Sequence, residues 1–133
     1  MNVQAYFDYD SKKSGGLTCS HLRFGNSPIT STYLISKADF VACHKASYMH
    51  QYDIVSDVKP GGVLMFSTCT VNEKENQENV GWFLEEFPEF QLEDLKEQMP
   101  EEIKPLVKNG QLQLLPGECN ADGFFIAKLR RKG

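Results

Sequence analysis

The side chain with the clearest capacity for covalent chemistry is Cys69, in the segment Ser-Thr-Cys-Thr at residues 67–70. A deprotonated thiol is the strongest nucleophile among the common side chains. An apolar run at residues 63–66 comes just before this segment and predicts a strand that ends close to the thiol. In α/β proteins, ligands collect at the carboxyl ends of strands. We therefore take the segment around Cys69 as the best functional candidate in the chain. By residue type alone, a small buried structural cysteine is favoured over a catalytic one.

Two flanking segments should hold this cysteine in place. Pro-Gly-Gly at residues 60–62 predicts a sharp turn before the strand. The run at 63–66 is apolar at every position, as in strands that are covered on both faces. Polar and acidic residues at 72–79 then lead into a helix predicted over 77–87. The side chains at helical spacing that should pack this helix onto the sheet are Val80, Phe83, Leu84 and Phe87.

A second strand should lie beside the first. Residues 38–43 are apolar apart from Asp39 and predict a short strand, and residues 45–58 carry apolar side chains at helical spacing. The helix should end before Pro60, since the residue before a proline disfavours the helical conformation. A strand, a helix and a strand in this order predict a right-handed, Rossmann-like crossover around residues 38–66, with its two strands parallel.

The two ends of the chain have the patterns of antiparallel strands. Alternating residues at 3–9 and 17–24 predict two strands that are joined by a longer hairpin loop. Residues 111–115 and 123–129 predict a second, C-terminal antiparallel pair. The shorter pieces are an extended segment at 31–34, a strand at 90–92 and a mostly irregular stretch at 96–109. The expected fold class is therefore α/β, as a single mixed-sheet domain over residues 1–133 with three or two layers.

Composition narrows the functional classes. The 133 residues are 41% hydrophobic and 24% charged, as in ordinary globular domains. No apolar run approaches the roughly 20 residues that cross a bilayer, and no secretory pattern begins the chain, so we expect a cytoplasmic protein without a membrane partner. The net charge of −4 opposes general attraction to phosphate backbones. We interpret the basic cluster at residues 128–132 as a solvated tail rather than a nucleic-acid contact.

The spacing of cysteines and histidines argues against a metal site. The cysteines include no Cys-x-x-Cys pair, which disfavours iron–sulfur clusters and structural zinc. Cys43 and His44 are adjacent, but neighbouring residues on a strand point to opposite faces of the sheet. We therefore predict no metal and expect reduced thiols. The four cysteines are Cys19, Cys43, Cys69 and Cys119.

From about residue 58 to residue 133 the chain carries several motifs in a fixed order. They are Lys-Pro-Gly-Gly-Val-Leu-Met-Phe-Ser-Thr-Cys-Thr at 59–70, Glu-Asn-x-Glu at 75–78, Leu-Pro-Gly-Glu at 115–118 and Asp-Gly-Phe-Phe-Ile-Ala at 122–127. In these motifs the chain resembles the C-terminal part of bacterial 16S rRNA cytosine-C5 methyltransferases. The resemblance implies that Cys69 is the nucleophile, that S-adenosylmethionine is the methyl donor, and that the partner is RNA with an unstacked target base.

Other parts of that family's pattern do not occur in residues 1–57. The family has a glycine-rich loop that binds S-adenosylmethionine, acidic residues that also hold this donor, and an Asp-x-Pro-Cys-Ser-Gly motif that supplies a second cysteine. Without them, no cofactor-binding residue is assigned. The resemblance therefore implies a C-terminal methyltransferase fragment that is inactive alone.

Residues 1–58 resemble a different family. The motifs are Ala-Tyr-Phe-Asp-Tyr-Asp-Ser-Lys-Lys-Ser-Gly-Gly at 5–16, Ser-His-Leu-Arg-Phe-Gly at 20–25, Ser-Thr-Tyr-Leu at 31–34 and Ala-Asp-Phe-Val-Ala-Cys-His at 38–44. They are similar to an internal, gamma-type segment of pyruvate:ferredoxin (flavodoxin) oxidoreductase. No thiamine-binding or cluster-binding motif accompanies them, so no catalytic residue is assigned to this segment.

The two resemblances meet at residues 56–62, where a helix, a glycine turn and a strand suit both families. We interpret the chain as a chimera of an oxidoreductase-like segment, 1–58, and an RNA-methyltransferase-like segment, 59–133. Three functions remain open: the methyltransferase fragment, a fragment of the oxidoreductase, and a non-catalytic α/β domain. No oligomeric state is predicted.

Overall fold

The structure is a computed structural model, and it describes residues 1–9, 18–32, 34–51, 53–117 and 122–133. The chain divides into two compact units, Met1–Ser36 and Lys37–Gly133. The expectation of one domain with a shared core stays a prediction. The division does not fall at the junction expected at residues 56–62, which lies well inside the second unit.

The first unit is a β-hairpin. Strand β1 (Asn2–Tyr9) pairs antiparallel with β2 (Thr18–Gly25), as the alternating pattern predicted. The loop expected between them lies outside the described residues. The extended segment predicted at 31–34 forms no strand at its described positions. Its Ser31 carbonyl instead accepts a hydrogen bond of 2.7 Å from Nε2 of Gln4, so this side-chain contact replaces a strand pairing.

The second unit is built on a six-stranded mixed sheet in which β3 and β4 are parallel and the remaining pairs are antiparallel. This confirms the α/β fold class, the parallel crossover and the antiparallel C-terminal pair. The order is β3-β4-β8-β7-β6, and β5 also pairs with β8. The strands are β3 (Ala38–Cys43), β4 (Val58–Thr68), β5 (Phe90–Glu93), β6 (Val107–Lys108), β7 (Gln111–Leu114) and β8 (Phe124–Arg131).

Two short helices replace the single helix predicted over residues 45–58. They are α1 (Ala46–Gln51) and α2 (Ile54–Asp57). Asp53 separates them because it is the N-cap of α2. Its side chain accepts a hydrogen bond from the Ser56 amide in the first turn of that helix. Helix α3 (Gln77–Glu86) forms where the 3.6-residue pattern predicted it. Short 3₁₀ helices lie at Lys96–Gln98 and Lys104–Leu106. No helix in the described ranges is both long enough and apolar enough to span a membrane.

The turn expected at residues 60–62 is an irregularity inside β4. The strand begins at Val58, and the register shifts between the pairs Ala38–Val58 and Phe40–Val63. Extra residues on one strand of a pair are accommodated by a bulge. Gly61 allows it, with a φ of 80°, in the left-handed region that other residues rarely adopt. The sequence therefore correctly indicated irregular backbone at residues 60–62. The irregularity lies within β4, however, and does not precede the strand.

The core lies on one face of the sheet. Leu64 and Phe66 of β4 lie opposite Leu129 and Ala127 of β8, and all four side chains are buried. The three helices all contribute buried side chains to the same cluster, whereas Phe40 on the other face of β3 remains 56% exposed. Two layers are therefore formed in this unit. The helix contributions are Met49 from α1, Ile54 from α2, and Val80 and Phe83 from α3.

Contacts across the predicted junction pack residues 37–58 against the methyltransferase-like segment within the second unit. His50 of α1 stacks on Trp82 of α3, with ring centroids 4.0 Å apart. His50 Nε2 also lies 2.6 Å from Oδ1 of the buried Asn79. A buried amide of this kind needs a partner, since an unsatisfied polar group in a core is destabilising. Helices α1 and α3 therefore contact each other through polar as well as aromatic side chains.

The basic cluster at residues 128–132 is not the solvated tail that the sequence suggested. Lys128 and Arg130 lie on β8, and both contact the carboxylate of Glu93 on β5. Arg131 donates hydrogen bonds to the carbonyls of Val55, at 3.0 Å, and Val58, at 2.5 Å. Lys128, Arg130 and Arg131 therefore make structural contacts, because β8 places them beside the Glu93 carboxylate and these two carbonyls.

We expect the Glu93 cluster to give a specific pH dependence of stability. Hydrogen bonds from Arg130 and then Lys128 hold the pKa of Glu93 below its usual range. The ionised form is therefore favoured by folding, and its stabilisation is present near neutral pH and lost as the pH falls through the lowered pKa. The difference in free energy of unfolding between the wild type and Glu93→Gln should shrink from about pH 6 to about pH 3. Urea unfolding followed by tryptophan fluorescence measures it.

Glu97→Gln is the matched control. The Glu97 carboxylate lies 3.6 Å from Lys104, and its side chain is 84% exposed. Exposed ion pairs contribute little to stability, so this variant should unfold like the wild type at every pH. A pH-independent effect of Glu93→Gln would contradict the assigned role.

Candidate active site

Cys69 lies directly after β4 and is exposed. His44 directly follows β3. Because β3 and β4 are parallel, with Cys43 opposite Phe66, their carboxyl ends lie side by side. The cysteine predicted as a nucleophile and a histidine considered only as a metal ligand are thereby brought to the same edge of the sheet.

A cavity of about 290 Å³ opens at this edge. Four reactive or titratable groups line it: a thiol, an imidazole, an ammonium group and a carboxylate. Its size lies at the small end of ligand pockets, and a single base would fit better than a large ligand. The lining residues are His44, Lys45, Ala46, Thr68, Cys69, Thr70 and Glu75.

The imidazole of His44 is held by β4. Its Nδ1 lies 2.7 Å from Oγ of Ser67, and the Ser67 residue is only 4% exposed. The register extends naturally to this contact, since Cys43 pairs with Phe66 and the next residues along are His44 and Ser67. A buried hydroxyl thus fixes the ring at the mouth of the cavity.

Asn76 holds the cysteine loop from both sides. It is fully buried, and its Oδ1 accepts a hydrogen bond of 2.5 Å from the hydroxyl of Thr68. Its Nδ2 donates to the carbonyl of Thr70 at 2.9 Å and to Oε1 of Gln113 at 2.9 Å. One amide therefore binds the residues before and after Cys69. No role was assigned to Gln113 from the sequence, and Asn76 was named there only as part of the Glu-Asn-x-Glu motif, without a role.

The far side of this network rests on the C-terminal strands. Gln113 of β7 donates from Nε2 to the carbonyl of Phe124 at 3.0 Å, so its amide is oriented by β8. Gly123 also lies against the loop, because a Cβ at this position would be 2.7 Å from Cγ1 of Val71. The motif at residues 122–127 is therefore adjacent to the cysteine loop in space.

Cys43 shows the opposite environment. It is buried, and its thiol donates to the carbonyl of Lys45 at 3.3 Å. Burial raises the pKa of the Cys43 thiol, with a smaller opposing effect from this hydrogen bond. A protonated, buried thiol is a poor nucleophile. Among the described cysteines, exposure and position favour Cys69. Cys119 lies outside the described residues.

Two other features bear on function. A second cavity, of about 350 Å³, lies between β5 and the β6–β7 turn. Asp94, Lys96 and several apolar and turn residues line it, with no cysteine or serine among them. Within the described parts of the chain, no group of three or more His, Cys, Asp or Glu side chains is placed to hold a metal ion.

Comparisons with known proteins point in two directions. The sequence profile of the 16S rRNA methyltransferase RsmB/F family matches residues 31–130. The pyruvate-flavodoxin oxidoreductase of Klebsiella pneumoniae is 51% identical over 80 residues, which is 60% of this chain and 7% of that protein. The probable ribosomal RNA small subunit methyltransferase B of Bacillus subtilis is 43% identical over 82 residues, which is 61% of this chain and 18% of that protein.

Structural comparison gives the same fold class. A methyltransferase homologue from Pyrococcus horikoshii superposes with a TM-score of 0.53 at 23% identity, covering 71% of this chain and 39% of that one. The resemblance to two families is confirmed. The two sequence matches share at least a fifth of the chain, because their lengths together exceed it. The profile match also takes in β3, α1 and α2, which the motifs alone assigned to the oxidoreductase-like segment.

We expect Asn76→Asp to destabilise the cysteine loop. The carboxylate keeps an acceptor for the Thr68 hydroxyl but loses both N–H donors, and it leaves the Thr70 carbonyl and the Gln113 amide oxygen without this partner. Lost buried hydrogen bonds of this kind lower the free energy of unfolding by about 1–3 kcal/mol. Urea unfolding measures this change.

Asn72→Asp provides the control within the same loop. Asn72 is exposed, and its Oδ1 accepts a hydrogen bond of 3.0 Å from the Lys74 amide, a role that aspartate keeps. It should unfold like the wild type. Equal stability of the two aspartate variants would show that Asn76 does not hold the loop.

Proposed function

Because the chain belongs to the 16S rRNA methyltransferase RsmB/F family, we propose that residues 37–133 form the nucleophile-bearing part of an RNA cytosine-C5 methyltransferase. Cys69 is its nucleophile. The observation that carries this proposal is an exposed thiol at the carboxyl end of a strand, in a cavity of base size, with its loop fixed by a buried amide. A preorganised loop favours reaction because the thiol need not be ordered as the base arrives.

The chemistry assigned to Cys69 is addition to C6 of cytosine. A bond forms between Sγ and C6, the electron pair of the C5–C6 double bond moves onto C5, and the thiol proton passes to a base. C5 then becomes electron-rich enough to react with an electrophile. The base must first leave its stack, so the substrate is single-stranded or unstacked RNA.

S-adenosylmethionine is the methyl donor that the family resemblance implies, but the residues present do not fit it. Among the described strands, β3 is the outermost of its sheet, and none pairs with its free edge to bring a donor loop beside the cavity. In the first unit, β1 and β2 pair with each other in a separate sheet. No methyl-transfer step is therefore assigned to this chain, and we propose that it does not transfer methyl groups alone.

RNA would be held by local contacts, since the net charge of −4 opposes broad attraction to phosphates. Lys45 is the cation that lines the cavity, and its Nζ lies 5.5 Å from the centre of the Tyr48 ring. A ribosomal RNA substrate also implies a cytoplasmic location, which remains part of this proposal.

Hydrogen exchange at C5 tests the nucleophile without a methyl donor. Reversible addition of Cys69 to C6 lets C5 exchange its hydrogen with water. The chain should therefore release tritium from single-stranded RNA labelled at cytosine C5. Cys69→Ser should lower this rate at least about a hundredfold, since general nucleophilic catalysis by the thiol is lost.

Cys19→Ser is the matched control, because Cys19 is a described cysteine that is not among the residues lining the cavity. It should exchange like the wild type. Equal rates for Cys69→Ser and the wild type would exclude the nucleophile assignment. A folded wild type that releases no tritium would instead favour a non-catalytic α/β domain, the third candidate function.

A fragment of pyruvate-flavodoxin oxidoreductase is the second candidate, favoured by the 51% identity over 80 residues. The chain spans only 7% of that enzyme, so it would act only with the enzyme's other domains. Co-purification with an oxidoreductase that lacks the matching segment, and restoration of its activity, would support this function. Failure of both would argue against it.

A further inference from the structure

We propose that His44 is a catalytic partner of Cys69 and accepts the thiol proton when Cys69 attacks carbon. Both side chains line the same cavity. His44 lies in a motif that resembles the oxidoreductase, and, although the methyltransferase family profile also covers this position, that resemblance assigns no role to it. This inference concerns the proposed Cys69 site and rests on that site acting as a nucleophile.

The two strand ends bring the two groups to one cavity. β4 ends at Thr68, and Cys69 is the next residue. His44 is anchored to Ser67 near the same end of β4, with 2.7 Å between Nδ1 and Oγ. Cys43, one residue earlier, is instead buried in the core. The imidazole is therefore held beside the end of β4, in the cavity that Cys69 also lines.

The anchoring contact leaves one ring nitrogen available. When Nδ1–H donates to the Ser67 hydroxyl oxygen, Nε2 carries a lone pair. A nucleophile, a base and a third group that orients the base form the arrangement that activates cysteine in many unrelated enzymes. Ser67 has the orienting role here, and its burial makes the orientation stable.

The proton-transfer step balances without any further reactant. The S–H bond of Cys69 breaks, its proton moves to Nε2 of His44, and the sulfur electron pair forms a bond to the electrophilic carbon. With cytosine, this carbon is C6, and the double-bond electrons move to C5. With iodoacetamide, it is the methylene carbon, and iodide leaves. The second reaction needs neither RNA nor a methyl donor.

Two other charged groups face the same space. Lys45 and Glu75 line the cavity with His44 and Cys69. A nearby ammonium group could favour a thiolate through its charge alone, and a carboxylate would oppose it. Any test must therefore separate a proton acceptor from a neighbouring charge.

Alkylation of the full chain by iodoacetamide makes this test, with peptide mass mapping to read Cys69 separately from the other cysteines. His44→Gln should slow alkylation of Cys69 at pH 7 by about tenfold or more, since its amide can still contact Ser67 but cannot take the proton. Ser67→Ala should slow it less, because the base remains but is no longer oriented. Lys45→Gln and Glu75→Gln should each change the rate less than about twofold.

A second measurement distinguishes catalysis from a structural effect. In alkaline solution hydroxide can take a thiol proton in place of the imidazole, so near pH 10 the rates of the wild type and His44→Gln should converge. A collapsed or blocked cavity would keep the variant slow at every pH and would overturn the proposal. An unchanged rate at pH 7, or an equal loss in Lys45→Gln, would overturn it as well.

The two proposals fail in different ways. Slow alkylation of His44→Gln without tritium release from RNA supports the His44–Cys69 pair and contradicts cytosine as its substrate. Tritium release that depends on Cys69 but not on His44, with unchanged alkylation, supports the proposed function and contradicts the pair.

Discussion

The parallel pairing of β3 with β4 is the constraint on which the candidate site depends. The register that sets Cys43 opposite Phe66 also sets His44 beside Ser67 and brings the ends of both strands to one cavity. A slip of one residue would turn every side chain of β3 to the other face of the sheet. The buried side of the same pairing prevents this slip, because Cys43 and Phe66 are both packed in the core.

Two segments with different resemblances share this pairing, and the packing shows why they are compatible. The motifs of β3 and α1 resemble an oxidoreductase, although the methyltransferase family profile also covers them, whereas the motifs of β4 and α3 resemble a methyltransferase. The His50–Trp82 stack and the contact of His50 with Asn79 join the two sets of helices. A strand, helix and strand crossover has the same backbone requirements in either family. A junction inside this crossover, as the motifs predict, would therefore leave the sheet intact.

Periodicity predicted the elements well where one physical cause dominated. The 3.6-residue pattern located α3, and alternation located β1, β2, β7 and β8. The helix at 45–58 was overextended because the side-chain cap at Asp53 competes with continuation of α1. The turn at 60–62 was misread because a glycine permits a bulge as readily as a reversal. Asn76 and His44 lie in motifs identified in the sequence, but their contacts were not predicted because the partners, Gln113 and Ser67 respectively, are distant in the sequence.

The position of β8 has a consequence for how the chain is made. It lies between β4 and β7, pairs with β5, and carries the Arg131 contacts to carbonyls in the α2–β4 region, yet it follows all of these described elements along the chain. Until it is made, β4 has an unpaired edge and the orienting contact of Gln113 with the Phe124 carbonyl cannot form. The cysteine loop is thus completed only after β8 is made, so chains truncated before β8 carry Cys69 without its fixed surroundings.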